Sequence, residues 1–378
     1  MKILHSAFML KPPLGVVTQM RWEQDAAREN NLDWSSRLFC PVAGLAPSEI
    51  LVPATLGPSR SGNGFSRRAL NWISLRRQYY QWLNTQAPRY DVMLLRYSAC
   101  DPFQAAFARG LSTPLYSVNH TLELGELRNA HSPVSGSIRA TLEQWLGKIT
   151  LKHASGIIGV THEILHYEKE RLRNPDKAGY VYPNGIHYPE PLQEQDDLRE
   201  TVPEIMFIAS QFAPWHGLDL LLDSLQDCNT EFVLHLVGTL GPMDLSRAQN
   251  DPRIILHGLL DSAKITELSK KCWLGLSSFA LHRNQMSEAC TLKVREYLLN
   301  GLPVYASYKD VFPASFPFYR NGPPHINDIL DYAHCVKNST RADVAAQARP
   351  FISKSMLMLG LYNWLETLHP PSSLADEV

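Results

Sequence analysis

Cysteine is scarce in this 378-residue chain, and its six copies stand far apart. They occur at Cys40, Cys100, Cys228, Cys272, Cys290 and Cys335. No two of them form a CxxC pair, so the sequence predicts neither a zinc ribbon nor a disulfide framework. We therefore expect the protein in a reducing compartment, the cytoplasm.

Long hydrophobic runs are also missing. No window approaches the ~20 uninterrupted apolar residues that a membrane-spanning helix needs. Residues 2–10 carry one lysine before a short apolar run and no small-residue cleavage site, which is typical of a first strand and not of a signal peptide. The sequence predicts a soluble protein, at most peripheral at the inner face of a membrane.

Net charge is close to zero, because 36 Lys plus Arg face 37 Asp plus Glu. A chain without an overall cationic field is not expected to bind nucleic acid. The balance hides an asymmetry, since residues 1–187 hold 21 basic and 14 acidic side chains, a net charge of +7, and the remainder holds 15 and 23, a net charge of −8. The two parts of the chain therefore differ electrically.

With 44% hydrophobic residues, the chain is long enough for two domains with separate cores. In the second half, apolar runs at 204–210, 232–238, 253–257, 274–278 and 303–306 alternate with helical spacing at 218–225 and 263–270. The first half repeats this less regularly, with strands predicted at 2–8, 91–95, 114–118 and 156–160 and helices at 69–84, 102–109 and 138–153. Apolar strands alternating with helices predict an α/β fold with two doubly wound parallel sheets.

The predicted domain boundary lies near the Asn184-Gly185 turn and the polar stretch at 190–201. Residues 1–188 form the first domain, residues 189–355 the second, and residues 356–378 a C-terminal helix and tail. Ligands of such sheets bind outside the carboxyl ends of the strands, and two such domains facing each other enclose a cleft. Function is therefore expected in the loops that follow strands.

The segment at residues 287–307 carries the most chemistry. It follows a predicted strand and leads into a helix from about Thr291 to Asn300, which Gly301 ends. The amide groups at the start of that helix, with its dipole, can bind an anion, and Lys293 and Arg295 can add positive charge. This pattern predicts a phosphate site.

Two carboxylates, Glu288 and Glu296, flank the predicted anion site with seven residues between them. Carboxylates do not bind phosphate, but they accept hydrogen bonds from sugar hydroxyls, and two of them can hold two sugars of one ligand. The ligand implied is a nucleotide sugar. In the alternative interpretation, Glu288 is a loop carboxylate and Glu296 a solvated helix residue paired with Lys293.

This E-x7-E arrangement, followed by a helix that ends in Gly-Leu-Pro-Val, resembles the donor-binding signature of retaining GT-B glycosyltransferases of family 4. The resemblance extends over most of the chain, to Gly15 with Gln19, Gly156-Ile-Ile-Gly-Val-Thr161, Tyr182-Pro-Asn-Gly-Ile186, residues 209–223, residues 232–238 and a C-terminal helix with Trp364. It implies the GT-B architecture, two Rossmann-like domains facing a cleft, with the C-terminal helix returning to the first domain. It also implies transfer of a sugar from a nucleotide diphosphate sugar to a hydroxyl acceptor.

The same resemblance assigns roles to single residues. Glu296 would bind the nucleotide ribose and Glu288 the hydroxyls of the transferred sugar. Leu292 and Lys293, after Thr291 at the helix start, would offer amides to the diphosphate.

In the first domain, the resemblance points to two further residues. His120 resembles the family's histidine near the reacting sugar, and the alternative is a loop histidine bonded to backbone. Gly15 would be the small residue that lets the first loop approach the donor.

One departure from the family pattern concerns the phosphate-binding cations. Family members commonly have Arg and Lys, five or six residues apart, after the first strand of the second domain, where this chain has Gln211 and His216. A phosphate dianion favours the charged form of a nearby imidazole, so we expect a protonated His216 and a donor affinity that falls above neutral pH.

The resemblance further implies that the sugar keeps its anomeric configuration and that no divalent metal or other cofactor is needed. The leaving phosphate can deprotonate the acceptor, a glycan or lipid-linked molecule of cell-envelope, lipopolysaccharide or exopolysaccharide synthesis. The arginines and aromatic residues of 67–82 make peripheral membrane contact conceivable, but the arginines spread around the helical wheel, which favours an ordinary partly exposed helix.

Two other functions stay open on the sequence. His162-Glu163-Ile-Leu-His166 matches HExxH, the zinc-hydrolase pattern, but no Gly-x-x-His continuation follows it. The replacement of both cations by Gln211 and His216 also fits a domain that binds a nucleotide sugar without transferring it.

Overall fold

The computed structural model describes residues 1–41, 48–54, 65–124, 127, 133–190, 196–226 and 228–370. Part of the predicted polar stretch, 191–195, and the tail beyond residue 370 lie outside them. The chain divides into two compact units, Met1–Tyr182 with Leu357–Val378, and Pro183–Met356. The sequence placed the boundaries after residues 188 and 355. Because Ile186 pairs with Ser353, the segment after Tyr182 lies within the second unit.

The first unit contains a parallel sheet in the order β3-β2-β1-β4-β5-β6-β7. Its strands are β1 (Ile3–Phe8), β2 (Trp34–Cys40), β3 (Leu51–Pro53), β4 (Val92–Arg96), β5 (Leu115–Asn119), β6 (Gly156–Gly159) and β7 (Gly179–Val181). Its helices include α1 (Leu14–Glu29), α2 (Phe65–Gln86), α3 (Pro102–Gly110), α4 (Pro133–His153) and α5 (His162–Leu172). The predicted parallel sheet is confirmed, while β2, β3 and β7 escaped prediction.

The second unit contains a parallel sheet in the order β10-β9-β8-β11-β12-β13. Its strands are β8 (Glu204–Gln211), β9 (Val233–Thr239), β10 (Ile254–Gly258), β11 (Leu274–Leu276), β12 (Val304–Ala306) and β13 (Tyr319–Asn321). Its helices include α6 (Leu218–Ser224), α7 (Pro242–Gln249), α8 (Ser262–Ser269), α9 (Leu292–Leu299), α10 (Ile326–Val336) and α11 (Arg341–Ile352). Together the two units confirm the predicted α/β class with two doubly wound parallel sheets.

The last described helix, α12 (Lys354–Leu368), belongs mostly to the first unit. Met358, Leu361 and Leu365 are fully buried in the same core cluster as Ile3 and Val92. The helix therefore completes the core on one face of the first sheet.

One face of helix α2 packs in the core. Tyr79 and Tyr80 are buried, and Arg76 pairs with Asp101 at 3.2 Å and lies 4.1 Å from the ring centre of Phe8. Arg77 and Leu70 are exposed, so the described part of α2 agrees with the ordinary partly exposed helix that was the alternative to membrane contact.

Within the described part of the chain, no helix is both long enough and apolar enough to cross a membrane.

Candidate functional site

Two loops meet at the carboxyl edge of the second sheet. The loop after β8 accepts two hydrogen bonds from the loop after β11, Phe279 N–H to His216 O at 2.9 Å and Ala280 N–H to Trp215 O at 3.2 Å. Gly217 has φ +67°, and a Cβ there would lie 2.9 Å from Ala280 N. The left-handed backbone and the close approach both require glycine, and the two loops therefore form one surface.

Helix α9 begins at this edge. Its N-cap residue Thr291 is extended, and its side chain does not bond a first-turn amide. Instead, Thr291 Oγ1 lies 3.3 Å from the Tyr308 hydroxyl, which lies 2.8 Å from Ser277 Oγ. The first-turn amides, among them those of Leu292 and Lys293, are thus not capped by Thr291, and the positive end of the helix dipole lies here.

The far end of α9 confirms the predicted stop. Gly301 has φ +68°, its amide bonds Leu298 O at 3.1 Å, and the Leu302 amide bonds Tyr297 O at 2.9 Å. This is the Schellman arrangement, and it fixes the length and direction of the helix.

Lys293 carries a positive charge to the end of β8. Its Nζ donates to the Ile208 carbonyl at 2.8 Å. Burial lowers the pKa of Lys293 to about 8, although the carboxylate of Glu296 acts in the opposite direction. The ammonium is therefore largely charged at neutral pH and titrates in the mildly alkaline range.

His216 does not have the charge that the sequence suggested. Burial, and then the charge of Lys293, lower its pKa to about 4. Its Nδ1 accepts a hydrogen bond from the Ala213 amide at 2.9 Å, which leaves the proton on Nε2. In the protein without ligand this imidazole is therefore neutral at pH 7 and offers a neutral donor, while the expected protonation of His216 beside a diphosphate stays a prediction. Gln211, the last residue of β8, is exposed at the same edge.

Arg295 is also not where a ligand could reach it. Its side chain is fully buried, and its guanidinium forms two bonds to the Asp310 carboxylate, at 2.5 and 2.6 Å. It also donates to Asn184 O at 3.1 Å and lies 5.1 Å from the Phe312 ring centre. The proposed contribution of Arg295 to a phosphate site is wrong, because its charge is neutralised inside the unit.

The two acidic residues lie on either side of the start of α9. Glu296 is exposed in the second turn, and the surrounding protein raises its pKa while Lys293 lowers it. Glu288 is half-buried in an extended segment that pairs with Lys309, where the Ala289 amide bonds Lys309 O at 3.0 Å. Along the chain, the two carboxylates thus stand before and after the start of α9.

The segment that leads into α9 is tied to the Pro-Asn-Gly turn, a contact that the sequence did not reveal. Asn184 Nδ2 donates to Cys290 O at 2.7 Å, and the Asn184 amide lies 3.0 Å from Cys290 Sγ. Burial raises the pKa of the Cys290 thiol to about 12, so the thiol stays protonated. The turn therefore helps to position the residues between Glu288 and α9.

In the first unit, two predicted residues and one missed residue lie at the carboxyl edge of the sheet. Gly15 is in the first turn of α1 and not in a loop, which corrects its expected place, and His120 directly follows β5. Strand β4 lies between β1 and β5 in the sheet and ends at Arg96, the residue that the sequence analysis missed. Burial lowers the pKa of Arg96 to about 10, although the charge of Glu123 acts in the opposite direction. The sequence feature that could have drawn attention to Arg96 is an arginine at the end of an apolar strand.

The HExxH pattern lies on the surface helix α5. His162 and His166 are exposed, and His166 Nε2 lies 3.0 Å from Glu170 Oε1. Among the described residues, no group of three His, Cys, Asp or Glu side chains is arranged to hold a metal. Thr161 caps this helix, since its Oγ1 accepts from the Ile164 amide at 3.2 Å.

Comparison with solved structures identifies the architecture as GT-B. The lipopolysaccharide outer core galactosyltransferase WaaB, in its apo form, matches with a TM-score of 0.64 at 13% identity, over 97% of this chain and 100% of that one. Anabaena Alr3699/HepE in complex with UDP matches with a TM-score of 0.61 at 15% identity, over 97% of this chain and 100% of that one. Sucrose-phosphate synthase from Thermosynechococcus elongatus matches with a TM-score of 0.61 at 13% identity, over 97% and 99%.

These similarities establish the fold. At the level of sequence, no family model matches the chain, and no curated protein matches it significantly.

Proposed function

We propose that this protein is a glycosyltransferase of family 4 that moves a hexosyl group, with retention, from a nucleotide diphosphate sugar to a hydroxyl acceptor. The observation that carries the proposal is the edge of the second sheet, where Glu288 and Glu296 flank the start of α9 and Lys293 holds its ammonium at Ile208. Two acids suit sugar hydroxyls, and a helix start with a cation suits the diphosphate between them.

The proposed chemistry needs charge stabilisation on the leaving group. As the bond between the anomeric carbon and the phosphate oxygen breaks, the Lys293 ammonium, the first-turn amides of α9 and His216 Nε2–H would stabilise the departing diphosphate. The acceptor oxygen bonds the anomeric carbon, and its proton passes to the leaving phosphate. Arg295 acts indirectly, since its pair with Asp310 fixes the loop that holds Glu288 in place.

In this proposal, Glu296 binds the ribose and Glu288 the transferred sugar. His120, near the reacting sugar, and Gly15 stay predictions that rest on the family resemblance. We further propose that transfer requires no metal or other cofactor. Full activity after extensive dialysis against EDTA would agree with this, whereas activity restored by added Mg²⁺ or Mn²⁺ would contradict it.

Two of the fold relatives support the choice of donor and acceptor. HepE has been crystallised with UDP, with UDP and glucose, and with UDP-glucose, and WaaB is a lipopolysaccharide outer core galactosyltransferase. We therefore propose a UDP-hexose as the first donor to test and a glycan or lipid-linked acceptor of the cell envelope, used in the cytoplasm.

A thermal-shift screen of the full chain against UDP-, GDP-, ADP-, CMP- and dTDP-sugars tests donor binding. A ligand at 100 Kd adds about 2.7 kcal/mol of stability, or roughly 5–10 °C in the transition of a unit of this size. Glu296→Ala should remove most of that shift. Glu288→Ala should reduce the shift caused by the nucleotide sugar but not the shift caused by the free nucleoside diphosphate.

Glu231→Ala is the matched control. This exposed carboxylate precedes β9, at the opposite edge of the same sheet, and its removal should leave the shift unchanged. An unchanged shift in Glu296→Ala would remove that residue from the site and the main support for the proposal.

A domain that binds the donor without transferring it is the second candidate. The exposed Gln211 and the neutral His216 favour it, because both permanent cations of the family pattern are missing. One assay, the release of nucleoside diphosphate from the donor, distinguishes the two functions. A transferase releases it slowly by hydrolysis and quickly when acceptor is present. A domain that only binds the donor releases none under either condition. The anomeric configuration of the product, measured by NMR, tests retention.

A further inference from the structure

The structure leaves the guanidinium of Arg96, in the first unit, without a partner among the described residues. Arg96 is half-buried and ends β4, the central strand of its sheet. Its guanidinium forms no hydrogen bond and no ion pair with any described residue, and the charge of Glu123 acts on it only at longer range. Because a cation loses hydration on burial, an arginine in such a place normally has an anion beside it.

Two other arginines of this unit show the usual arrangement. The side chain of Arg76 is 7% exposed and lies 3.2 Å from Asp101. The side chain of Arg171 is 3% exposed and lies 2.7 Å from Glu143. Arg96 departs from this arrangement, because no described carboxylate pairs with it. A carboxylate or phosphate group from outside the chain would supply the missing partner.

The backbone beyond Arg96 is held by groups other than its side chain. The Tyr97 amide donates to the Val118 carbonyl at 2.8 Å, and the Ser98 amide donates to Gln104 Oε1 at 2.9 Å. The guanidinium is therefore not needed to hold this edge of the sheet. The edge is also ordered before a ligand arrives, which reduces the entropy cost of binding.

The position of Arg96 is one where parallel sheets bind ligands. Its register partner on β5 is Val118, and His120 comes two residues after Val118, about 7 Å along an extended strand. Ligands of such sheets bind outside the carboxyl ends of the strands. Residues 1–187 carry a net charge of +7, so the field of this part of the chain favours an anion.

We propose that Arg96 binds the anionic group of an acidic acceptor, a sugar that carries a carboxylate or a phosphate. The proposal rests on the proposed function, in which the donor diphosphate binds at the second sheet beside Lys293. The anion that Arg96 lacks is therefore assigned to the other substrate. In this role Arg96 selects an acidic acceptor over a neutral one, because a neutral sugar would leave the guanidinium covered and unpaired.

Binding of small sugars to the full chain tests the proposal without knowledge of the natural acceptor. The probes are glucose 6-phosphate, glucuronate and glucose, measured by saturation-transfer NMR with saturating UDP, which keeps the charged probes out of the donor site. The parent chain should bind at least one charged sugar about 10- to 100-fold more tightly than glucose. A preference for glucose 6-phosphate identifies a phosphate on the acceptor, and a preference for glucuronate identifies a carboxylate.

Arg96→Gln should lower the affinity for the charged sugar to that for glucose. Arg96→Lys should keep part of the preference, because the charge remains while the planar pair of donors is lost. Arg109→Gln, which removes an exposed arginine of α3, is the matched control and should bind like the parent chain. Arg96→Gln should also keep the thermal transition and the donor thermal shift of the parent, which separates a lost acceptor contact from a lost fold.

Three results would overturn the proposal. They are equal binding of charged and neutral sugars by the parent chain, equal binding of the charged sugars by Arg96→Gln and the parent, and loss of the donor thermal shift in Arg96→Gln, which would assign Arg96 to the donor. Failure of the proposed function looks different, because no nucleotide sugar then shifts the thermal transition of the parent. Charged sugars that still bind through Arg96 in that case would show an anion site but would overturn its role in binding an acceptor.

Discussion

The two units differ in the charged groups that they bury. The first unit buries carboxylates and arginines together, as in Glu143 and Glu168 with Arg171, whereas the described part of the second buries mainly basic side chains, among them Arg341 and Lys354. One of its buried pairs, Arg295 with Asp310, involves a helix that starts at the carboxyl edge of the sheet. The buried charges of the first unit thus stabilise its fold, whereas the charge of Lys293 in the second unit is a candidate for ligand binding.

The largest expected effect is in the first unit. Arg171→Met leaves two buried carboxylates without their cation, because Arg171 lies 2.7 Å from Glu143 and 2.9 Å from Glu168. We expect a loss of about 3–5 kcal/mol in the free energy of unfolding, localised by hydrogen exchange to peptides of the first unit. Arg173→Met, two residues on and exposed, is the control and should change stability by less than ~0.5 kcal/mol.

The next effect is in the second unit. Arg295→Met leaves one buried carboxylate, Asp310, and should cost about 3 kcal/mol, seen as faster hydrogen exchange in β12 and α9. Arg295→Met with Asp310→Leu should recover most of the loss, because neither charge is then left alone. Arg283→Met is the control, because it breaks a surface pair with Asp219 and a bond to the Pro214 carbonyl but leaves no buried charge alone. If Arg295→Met is as stable as Arg283→Met, the contrast between a buried and a surface pair fails.

Stability should respond to pH with opposite sign in the two units. Burial raises the pKa of Glu168 to about 7, above its unfolded value, so its contribution to stability is present at low pH and is lost as pH rises toward 7. The pKa of His216 is lowered to about 4, so its contribution is present near neutrality and is lost as pH falls from about 6.5 to 4. In urea titrations at pH 5 to 8, Glu168→Gln should remove the decrease in the free energy of unfolding with rising pH. His216→Asn should leave that decrease unchanged.

A smaller effect concerns donor binding by the second unit. The pKa of Lys293 is about 8, so donor affinity should be constant from pH 6 to 7.5 and should fall by up to about tenfold per pH unit above 8. Lys293→Gln should bind weakly at all pH values, without this decline. An equally steep decline in Lys293→Gln would assign the titration to another group.

The smallest effect is expected at His216. Since its imidazole is neutral across the working range, His216→Asn should leave the shape of the pH profile of KM for donor between 6 and 8.5 unchanged. If donor affinity falls from pH 6 to 7.5 in the parent protein but not in His216→Asn, then a protonated His216 binds the donor and this prediction is wrong.

The sequence predicts the second unit well because its strands are apolar runs. The strand predicted at 204–210 is Glu204–Gln211, and the helix end at Gly301 is as expected. The first unit is harder because its strands depend on distant polar partners. Strand β2 contains Ser36, whose amide bonds Gln24 Oε1 at 2.9 Å and whose hydroxyl bonds Glu23 Oε1 at 3.0 Å, both from α1.

The site shows the same limit. The spacing of Glu288 and Glu296 locates the start of α9, but it does not say what a basic residue in the first turns of that helix contacts. Lys293 bonds the Ile208 carbonyl of β8, and Arg295 pairs with Asp310 inside the unit. The deciding partner, Asp310, is fifteen residues away on a loop that no periodic pattern announces.

Helix α12 has a consequence for how the chain folds during its synthesis. Met358, Leu361 and Leu365 fill the core beside Ile3, and the Tyr362 hydroxyl lies 3.2 Å from the Met1 amino group. A ribosome must therefore translate all of Pro183–Met356 before the part made first has its full interior. The second unit can therefore finish folding ahead of the first, whose core face stays open until α12 has been made.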